Sequence, residues 1–131
     1  MSVEANRALV QRYIDEVWNA GDVELLDELY DPGFTGGSYG GVAGLKAAIA
    51  SYRTSFPDLR LAVEETIGED DRIVYRWTAR GTHLGEYDGL PPTGRPMTVT
   101  GLTLLRIVEG RIVDDYSETS IADLRGQLEQ S

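Results

Sequence analysis

The stretch RIVYRWTARGTHLGEYDGLPPTGRPMTVTGLTLLRIVEGRIVDDYSET, residues 72–119, decides the fold. It contains three runs rich in β-branched and aromatic residues, at 72–83, 97–108 and 111–119. Glycines and prolines fill the interval between the first two runs, and a Glu-Gly pair separates the second from the third. Runs of this composition, divided by strand-breaking residues, are typical of consecutive antiparallel strands. We therefore predict a three-stranded meander over this stretch.

The rest of the chain is expected to supply one more strand and the helices that cover the sheet. Residues 59–67 alternate apolar and polar side chains, which predicts a strand whose buried face carries Leu59, Leu61, Val63 and Ile67. Apolar spacing and capping residues predict helices at 2–19, 23–29, 42–55 and 121–128. Helices followed by antiparallel strands indicate an α+β fold. A curved antiparallel sheet would wrap around the N-terminal helices and leave a cone between the two layers.

The segment 34–41 is harder to place, because four of its eight residues are glycine. Glycine weakens helices and strands alike, since it loses more conformational freedom on folding than any other residue. We interpret the segment as a short edge strand followed by a loop.

Length and composition restrict the classes of function. The 131 residues fit a single domain, 1–131, with a core of its own. The chain has no cysteine and one histidine, so neither a metal site nor a disulfide is expected, and a cytoplasmic location is favoured. A net charge of −10 argues against nucleic-acid partners. No segment has the pattern of a membrane span or of a signal peptide.

Three segments together resemble a known family. They are ALVQRYIDEVWNAGDVELLDELYDPGF at 8–34, the stretch 56–101 that begins FPDLRL, and LLRIVEGRIVDDY at 104–116. The most specific part runs from Trp77 through Gly-Thr-His at 81–83 to Pro-Pro-Thr-Gly-Arg at 91–95. The chain resembles the SnoaL-like polyketide cyclases, also called ester cyclases, of the NTF2-like superfamily. The resemblance implies an NTF2-like (cystatin-like) cone, a homodimer, and chemistry on a small hydrophobic molecule without a cofactor.

The resemblance also implies a catalytic site from which this sequence departs. Cyclases of the family use an aspartate on the last long strand as acid and base, with histidines around the cavity. The aspartate position is Ser117 here, and residues 35–38, where a histidine often occurs, read Thr-Gly-Gly-Ser. An acid remains at Asp115, on the same predicted strand face as Ser117, and His83 matches the family's Thr-His pair.

His83 and Asp115 are accordingly the predicted catalytic residues. Histidine changes protonation state near neutral pH, and a carboxylate in a dry pocket has a raised pKa and can move protons. Asp114 and Asp115 point to opposite faces of a strand, so one of them can enter the cavity. The alternatives stay open: His83 could bond a backbone carbonyl at a strand end, and both acids could be solvated edge charges.

Four further residues are predicted to bind the substrate. Ser117 and Tyr13 would orient the substrate or an enolate oxygen, and Trp77 and Tyr116 would form walls and offer a hydrogen bond from the ring edge. The alternative for these aromatic side chains is an ordinary place in the core.

The favoured hypothesis is acid/base catalysis of an aldol cyclisation or an isomerisation. A second hypothesis is a ligand-binding or scaffold protein whose site has decayed. A third, epoxide hydrolysis, requires an arginine between two carboxylates, and Arg76 and Arg80 are the candidates on one strand face.

Overall fold

A computed structural model describes residues 2–37 and 39–129, and over those residues the protein is an α+β domain. The helices are α1 Val3–Arg12, α2 Leu26–Leu29, α3 Val42–Ser55 and α4 Leu124–Glu129. The strands are β1 Arg60–Glu69, β2 Arg72–Thr82, β3 Pro96–Val108 and β4 Arg111–Thr119. Short 3₁₀ turns, Val23–Leu25 and Ile121–Asp123, precede α2 and α4. The predicted fold class, helices against a curved antiparallel sheet, is confirmed.

The four described strands form one antiparallel sheet in the order β1-β2-β3-β4. The meander predicted from residues 72–119 is therefore confirmed, with strand ends within one residue of the predicted ones. Glu109 and Gly110 both adopt positive φ, 51° and 78°. A two-residue hairpin turn of this kind matches the right-handed twist of the strands it joins, so β3 and β4 pair directly.

Two β-bulges change which side chains face the helices. In β1 the register passes from Val63, opposite Trp77, to Glu65, opposite Arg76, so Glu64 is an extra residue. The extra residue reverses the alternation beyond it. Ile67 consequently lies on the outer face of the sheet and is 66% exposed. The prediction that Ile67 is buried with Leu61 was wrong for this reason.

The first helix does not continue regularly to residue 19 as predicted. The α-helix ends at Arg12, and Tyr13–Asn19 forms a wider π-helical turn. Such turns are rare, and they occur frequently at functional sites. Here the turn presents Tyr13, Ile14 and Trp18 together towards the sheet, and all three line the cavity between the layers.

The core lies between the helices and the concave face of the sheet. Val10 from α1 and Ile14 and Val17 from the π-helical turn pack in one core with Ile73 and Leu105 from the sheet, and all five are at most 1% exposed. At its described residues the segment 34–41 is irregular, with turns at 37 and 39–40, and it does not form the edge strand that we expected. None of the described helices is long and apolar enough to cross a membrane.

Candidate active site

A cavity of about 320 Å³ remains between the concave face of the sheet and the helices. This volume is at the small end of the range of ligand pockets. The π-helical turn, α3, the glycine segment 34–41 and strands β1 to β4 all contribute to its wall. Aromatic and aliphatic side chains form most of this wall: Tyr13, Ile14, Trp18, Phe34, Tyr39, Leu45, Tyr52, Leu59, Leu61, Tyr75, Trp77, Ala79, Met97, Val99, Ile121 and Leu124. Polar groups gather at Thr103, Asp115, Ser117 and Thr119.

Asp115 reaches the cavity because β4 contains the second bulge. Ile107 pairs with Ile112 but Arg106 pairs with Asp114, so Val113 is the extra residue. Strict alternation would have placed Asp115 on the face opposite Ile112. With the bulge, the buried Ile112 and the cavity-lining Asp115 both point inward. Asp114 points outward with its side chain 74% exposed.

Tyr30 holds the Asp115 carboxylate from behind the cavity wall. The Tyr30 hydroxyl donates to Asp115 Oδ2 at 2.7 Å and lies 3.4 Å from the Tyr13 hydroxyl. The bulged end of β4 positions Tyr30, since Tyr30 forms a parallel bridge with Ile112 and the Asp31 N–H donates to the Ile112 carbonyl at 2.9 Å. The same local irregularity therefore orients both the acid and its hydrogen-bond donor.

The electrostatics of this cluster follow from burial. Burial raises the pKa of Asp115 above its ordinary value, and the hydrogen bond from Tyr30 partly offsets this rise. Burial also raises the pKa of Tyr13, Tyr30 and Tyr75, with the nearby Asp115 carboxylate adding to the effect. The three phenols thus stay neutral at physiological pH and remain able to donate hydrogen bonds beside a carboxylate of increased basicity.

A second polar row crosses the cavity wall beside Asp115. The Trp77 indole Nε1–H donates to Thr103 Oγ1 at 2.9 Å, and Thr103 Oγ1 lies 2.7 Å from Ser117 Oγ. Trp77 and Ser117 both line the cavity as predicted binding residues would. The Trp77 N–H, however, bonds Thr103, so the expectation that it would serve a ligand does not fit this geometry.

His83 lies outside the cavity wall. Its side chain is 0% exposed, and its ring packs against Phe56 with centroids 5.8 Å apart. The Thr93 N–H donates to His83 Nδ1 at 3.2 Å, and the Thr93 hydroxyl lies 2.9 Å from the same atom. Nδ1 therefore acts as the acceptor of the Thr93 N–H. The predicted catalytic pairing of His83 with Asp115 is not formed.

Tyr116 also lies away from the cavity. It neighbours Asp115 on a strand, so its side chain points to the outer face, where it is 62% exposed and bonds Glu118. Arg76 and Arg80 are exposed as well, on the face of β2 opposite the cavity-lining Tyr75 and Trp77. The predicted wall position of Tyr116 is therefore wrong, and the arginine that epoxide hydrolysis requires is not supplied by Arg76 or Arg80.

The sequence interpretation missed Tyr30, Thr103 and Gly101. Tyr30 meets Asp115 across 85 residues of chain, and no local pattern signals such a contact. Gly101 carried a usable signal, because a glycine inside a strand often marks the close approach of another group. A Cβ atom at Gly101 would lie 2.4 Å from Trp77 Cζ2. The indole therefore lies directly against β3, within reach of Thr103.

A cluster of aromatic rings forms part of the cavity wall. Trp18 packs on Tyr52 with ring centroids 6.2 Å apart, and Tyr52 stacks on Tyr87 of the loop 84–95 at 6.4 Å. Neither lysine nor arginine lines the cavity among the described residues. Those residues also contain no group of three His, Cys, Asp or Glu side chains arranged to hold a metal ion. Among the described residues the cavity therefore offers one carboxylate, several neutral donors and a large apolar surface.

Comparison with known proteins agrees with this architecture. The sequence profile of the SnoaL-like polyketide cyclases matches residues 8–131. TsrD from Streptomyces laurentii is 25% identical, covers 98% of each chain and superposes with a TM-score of 0.86. IdmH from Streptomyces antibioticus is 28% identical, with 95% of this chain and 98% of the other covered and a TM-score of 0.80. A SnoaL-like polyketide cyclase from Agrobacterium tumefaciens, 20% identical, shares the fold over 98% and 99% of the two chains, with a TM-score of 0.76. No curated protein sequence matches the chain.

Proposed function

Because this chain belongs to the SnoaL-like polyketide cyclase family, we propose that its cavity catalyses proton transfer on a small uncharged carbonyl compound. The reaction would be an intramolecular aldol cyclisation and would need no cofactor. One observation carries the proposal. Asp115 is the single carboxylate in the described cavity wall, its pKa is raised by burial, and the Tyr30 hydroxyl holds it in place.

The proposed reaction starts with the Asp115 carboxylate. It removes a proton from the carbon next to a carbonyl group, and the electron pair of that C–H bond forms an enolate. The enolate carbon then attacks a second carbonyl group of the same molecule, and the new alkoxide takes back the proton held by Asp115. The product is an isomer of the substrate, so atoms and charge balance. The increased basicity of a desolvated carboxylate favours the first step.

The charges of the wall support an uncharged substrate. An anionic group on a ligand would face the Asp115 carboxylate. No lysine or arginine is present among the described lining residues to balance its charge. Burying an unpaired charge is costly, so a carboxylate or phosphate on the ligand would be disfavoured. The aromatic wall formed by Trp18, Tyr52 and Tyr75 suits a flat, apolar molecule.

The first prediction tests the role of Asp115. We chose 2-tetralone, a small two-ring ketone with acidic C–H bonds next to its carbonyl, as the probe. Exchange of these protons in D₂O, followed by NMR, measures the first chemical step alone. Asp115→Asn is expected to lower the exchange rate by about 10²–10⁴-fold, the usual contribution of a general base.

The matched control is Asp114→Asn. It makes the same chemical change one residue away, but Asp114 is exposed on the outer face and 4.0 Å from Arg106. We expect exchange within twofold of the unmodified protein. Equal losses in the two variants, or unchanged exchange in Asp115→Asn, would remove Asp115 from the mechanism.

A second candidate function is ligand binding without chemistry. The observation that favours it is the position of His83, which is sealed away from the cavity, together with a serine at 117 where the family resemblance expects an acid. The same probe separates the two functions. A protein that binds 2-tetralone but does not accelerate exchange would be a binding protein.

We further propose that a second copy of the chain covers the outer face of the sheet. A row of apolar side chains crosses the strands in register, from Ile67 to Val74 to Leu104 to Tyr116. Ile67, Leu104 and Tyr116 are classed as exposed. Charged pairs flank the row, Arg76 with Glu65 on one side and Arg106 with Asp114 on the other. A two-fold copy would thus meet both an apolar row and opposite charges, as isologous contacts require.

The second prediction concerns this face. Leu104→Glu places a charge in the middle of the row and is expected to convert a dimer into a monomer, measured by sedimentation velocity. Leu84→Glu is the control, because Leu84 is an exposed leucine just beyond β2, outside the row. A protein that sediments as a monomer before any substitution would contradict the proposal.

A further inference from the structure

Three side chains on the concave face form a hydrogen-bonded row that ends at the cavity. Trp77 Nε1 lies 2.9 Å from Thr103 Oγ1, which lies 2.7 Å from Ser117 Oγ. Thr103 is 4% exposed, and all three side chains line the cavity. Thr103 is the β3 neighbour of Ser117 in the sheet register. The row therefore connects three neighbouring strands, β2, β3 and β4.

The backbone of β3 is shaped to hold this row. A Cβ atom on Gly101 would lie 2.4 Å from Trp77 Cζ2 and 2.6 Å from Trp77 Cε2. Any other residue at 101 would push the indole away from β3. The glycine thus lets the ring lie flat across the strand, with its N–H directed at Thr103.

The available donors fix the direction of one of the two hydrogen bonds. The indole nitrogen of tryptophan can only donate, so Thr103 Oγ1 must accept from Trp77. If Thr103 then donates its own proton to Ser117 Oγ, its hydroxyl group accepts one hydrogen bond from Trp77 and donates one to Ser117. The hydroxyl proton of Ser117 is then free to point into the cavity. In the opposite direction Thr103 would accept twice, its own proton would turn towards the cavity or towards Tyr75, and Ser117 would have no proton left for a ligand.

We propose that Ser117 donates this hydrogen bond to the carbonyl oxygen of the substrate, and that Thr103 and Trp77 are positioning residues that direct it. The inference rests on the proposed proton-transfer function. As Asp115 removes a proton from the neighbouring carbon, the C–H electron pair moves towards oxygen and makes it negative. A hydrogen bond already aimed at this oxygen strengthens as charge develops. Ser117 would thus stabilise the enolate, while Asp115 holds the transferred proton.

The hydrogen bond can be measured without turnover. The carbonyl stretching frequency of ¹³C=O-labelled 2-tetralone falls when its oxygen accepts a hydrogen bond, and infrared difference spectra report it for the bound ligand. We expect a lowered frequency in the unmodified protein, loss of the shift in Ser117→Ala, and a partial loss in Thr103→Val. Thr103→Ser keeps the hydroxyl and should restore the shift. An unshifted band in the unmodified protein, or the same shift in Ser117→Ala, would overturn the inference.

Exchange kinetics add a readout that loss of packing alone would not mimic. Ser117→Ala is expected to lower kcat for exchange by about 10²–10³-fold with little change in KM. Thr103→Val and Trp77→Phe should give smaller losses, again in kcat. The matched control is Thr78→Val, which replaces a buried threonine on the opposite face of β2, outside the cavity lining. Equal kcat losses in Thr78→Val and Thr103→Val would overturn the positioning role.

Neutron diffraction of the deuterated, ligand-free protein decides which of Thr103 and Ser117 donates the hydrogen bond between them. A Thr103 deuterium directed at Ser117, with the Ser117 deuterium directed into the cavity, supports the inference. A Ser117 deuterium directed at Thr103 would overturn it, whether or not any ligand binds. Failure of the proposed function looks different. In that case the unmodified protein catalyses no exchange, yet the Ser117-dependent infrared shift persists.

Discussion

His83 and Asp115 are both polar side chains withdrawn from water, yet their surroundings differ in kind. The ring of His83 is sealed at the end of β2, and its Nδ1 atom accepts from Thr93 in the loop 84–95. Asp115 sits in the middle of β4 with one oxygen on Tyr30 and its side chain in the wall of an open cavity. His83 holds the loop 84–95 in place. Asp115 combines burial with access to a ligand, which is the combination that acid/base catalysis needs.

The difference shows that burial alone does not mark a reactive group. His83 is fully buried and Asp115 partly buried, but the acceptor of His83 is occupied by a loop of the same chain. No ligand can reach that atom while the loop 84–95 keeps its place. We therefore expect substitution of His83 to lower the stability of the protein and substitution of Asp115 to lower the rate of exchange.

The largest expected effect on stability belongs to His83→Ala. The substitution leaves a cavity beside Phe56 and removes the acceptor of Thr93. We expect a loss of about 2–4 kcal/mol in the free energy of unfolding, measured by urea denaturation. Exchange of 2-tetralone per folded molecule should stay within about threefold, because His83 does not line the cavity.

A conservative variant sharpens this expectation. His83→Asn places an amide oxygen near the position of Nδ1, so it should recover part of the lost stability through the Thr93 N–H. The expectation would be contradicted by a His83→Ala protein whose free energy of unfolding is unchanged but whose exchange rate falls by more than a hundredfold. His83 would then be a catalytic residue after all.

The next effect is a gain in stability at Asp115. Because burial raises the pKa of this carboxyl, the folded chain binds its proton more tightly than the unfolded chain. Between the ordinary pKa and the raised one, the folded state carries more protons. The free energy of unfolding therefore falls as pH rises through this window and stays lower above it. Asp115→Asn removes this cost, so its stability relative to the unmodified protein should increase from acid to neutral pH.

Urea denaturation at several pH values measures this difference. Asp114→Asn again supplies the comparison, since it removes an exposed carboxylate outside the cavity. A relative stability of Asp115→Asn that does not change with pH would mean that the carboxyl is not perturbed by burial. The proposed increase in its basicity would then lose its support.

The fold was accessible from sequence because its signals are local and repeated. Each strand in 72–119 is rich in β-branched and aromatic residues, and glycines or prolines separate neighbouring strands, so a single extra residue does not obscure the pattern. The bulges at Glu64 and Val113 are different, because each is a single extra residue that only the partner strand reveals. The bulge at Glu64 places Ile67 on the outer face of the sheet, and the bulge at Val113 places Ile112 and Asp115 on the same face.

The site was accessible only in part. Asp115, Ser117, Tyr13 and Trp77 were named from strand phase, family resemblance and residue type, and all four line the cavity. The place of His83 depended on how the loop 84–95 folds back, which turn residues alone do not specify. The contact of Tyr30 with Asp115 could not be predicted for the same physical reason. It depends on the bridge between Tyr30, just after α2, and Ile112 in β4.

The smallest of these effects concerns Tyr30, which bonds Asp115 although it does not line the cavity itself. Tyr30→Phe removes the hydrogen bond that lowers the pKa of Asp115 and leaves the burial that raises it. The pKa of Asp115 should rise further. Since exchange requires the carboxylate, the acid limb of the pH profile of kcat/KM should move to higher pH, while the plateau at high pH changes little. Tyr13→Phe, which removes a hydroxyl that does not bond Asp115 directly, should move the limb less. An acid limb that stays in place in Tyr30→Phe would show that the tyrosine supports only the packing around β4, and that its hydrogen bond does not lower the pKa of Asp115.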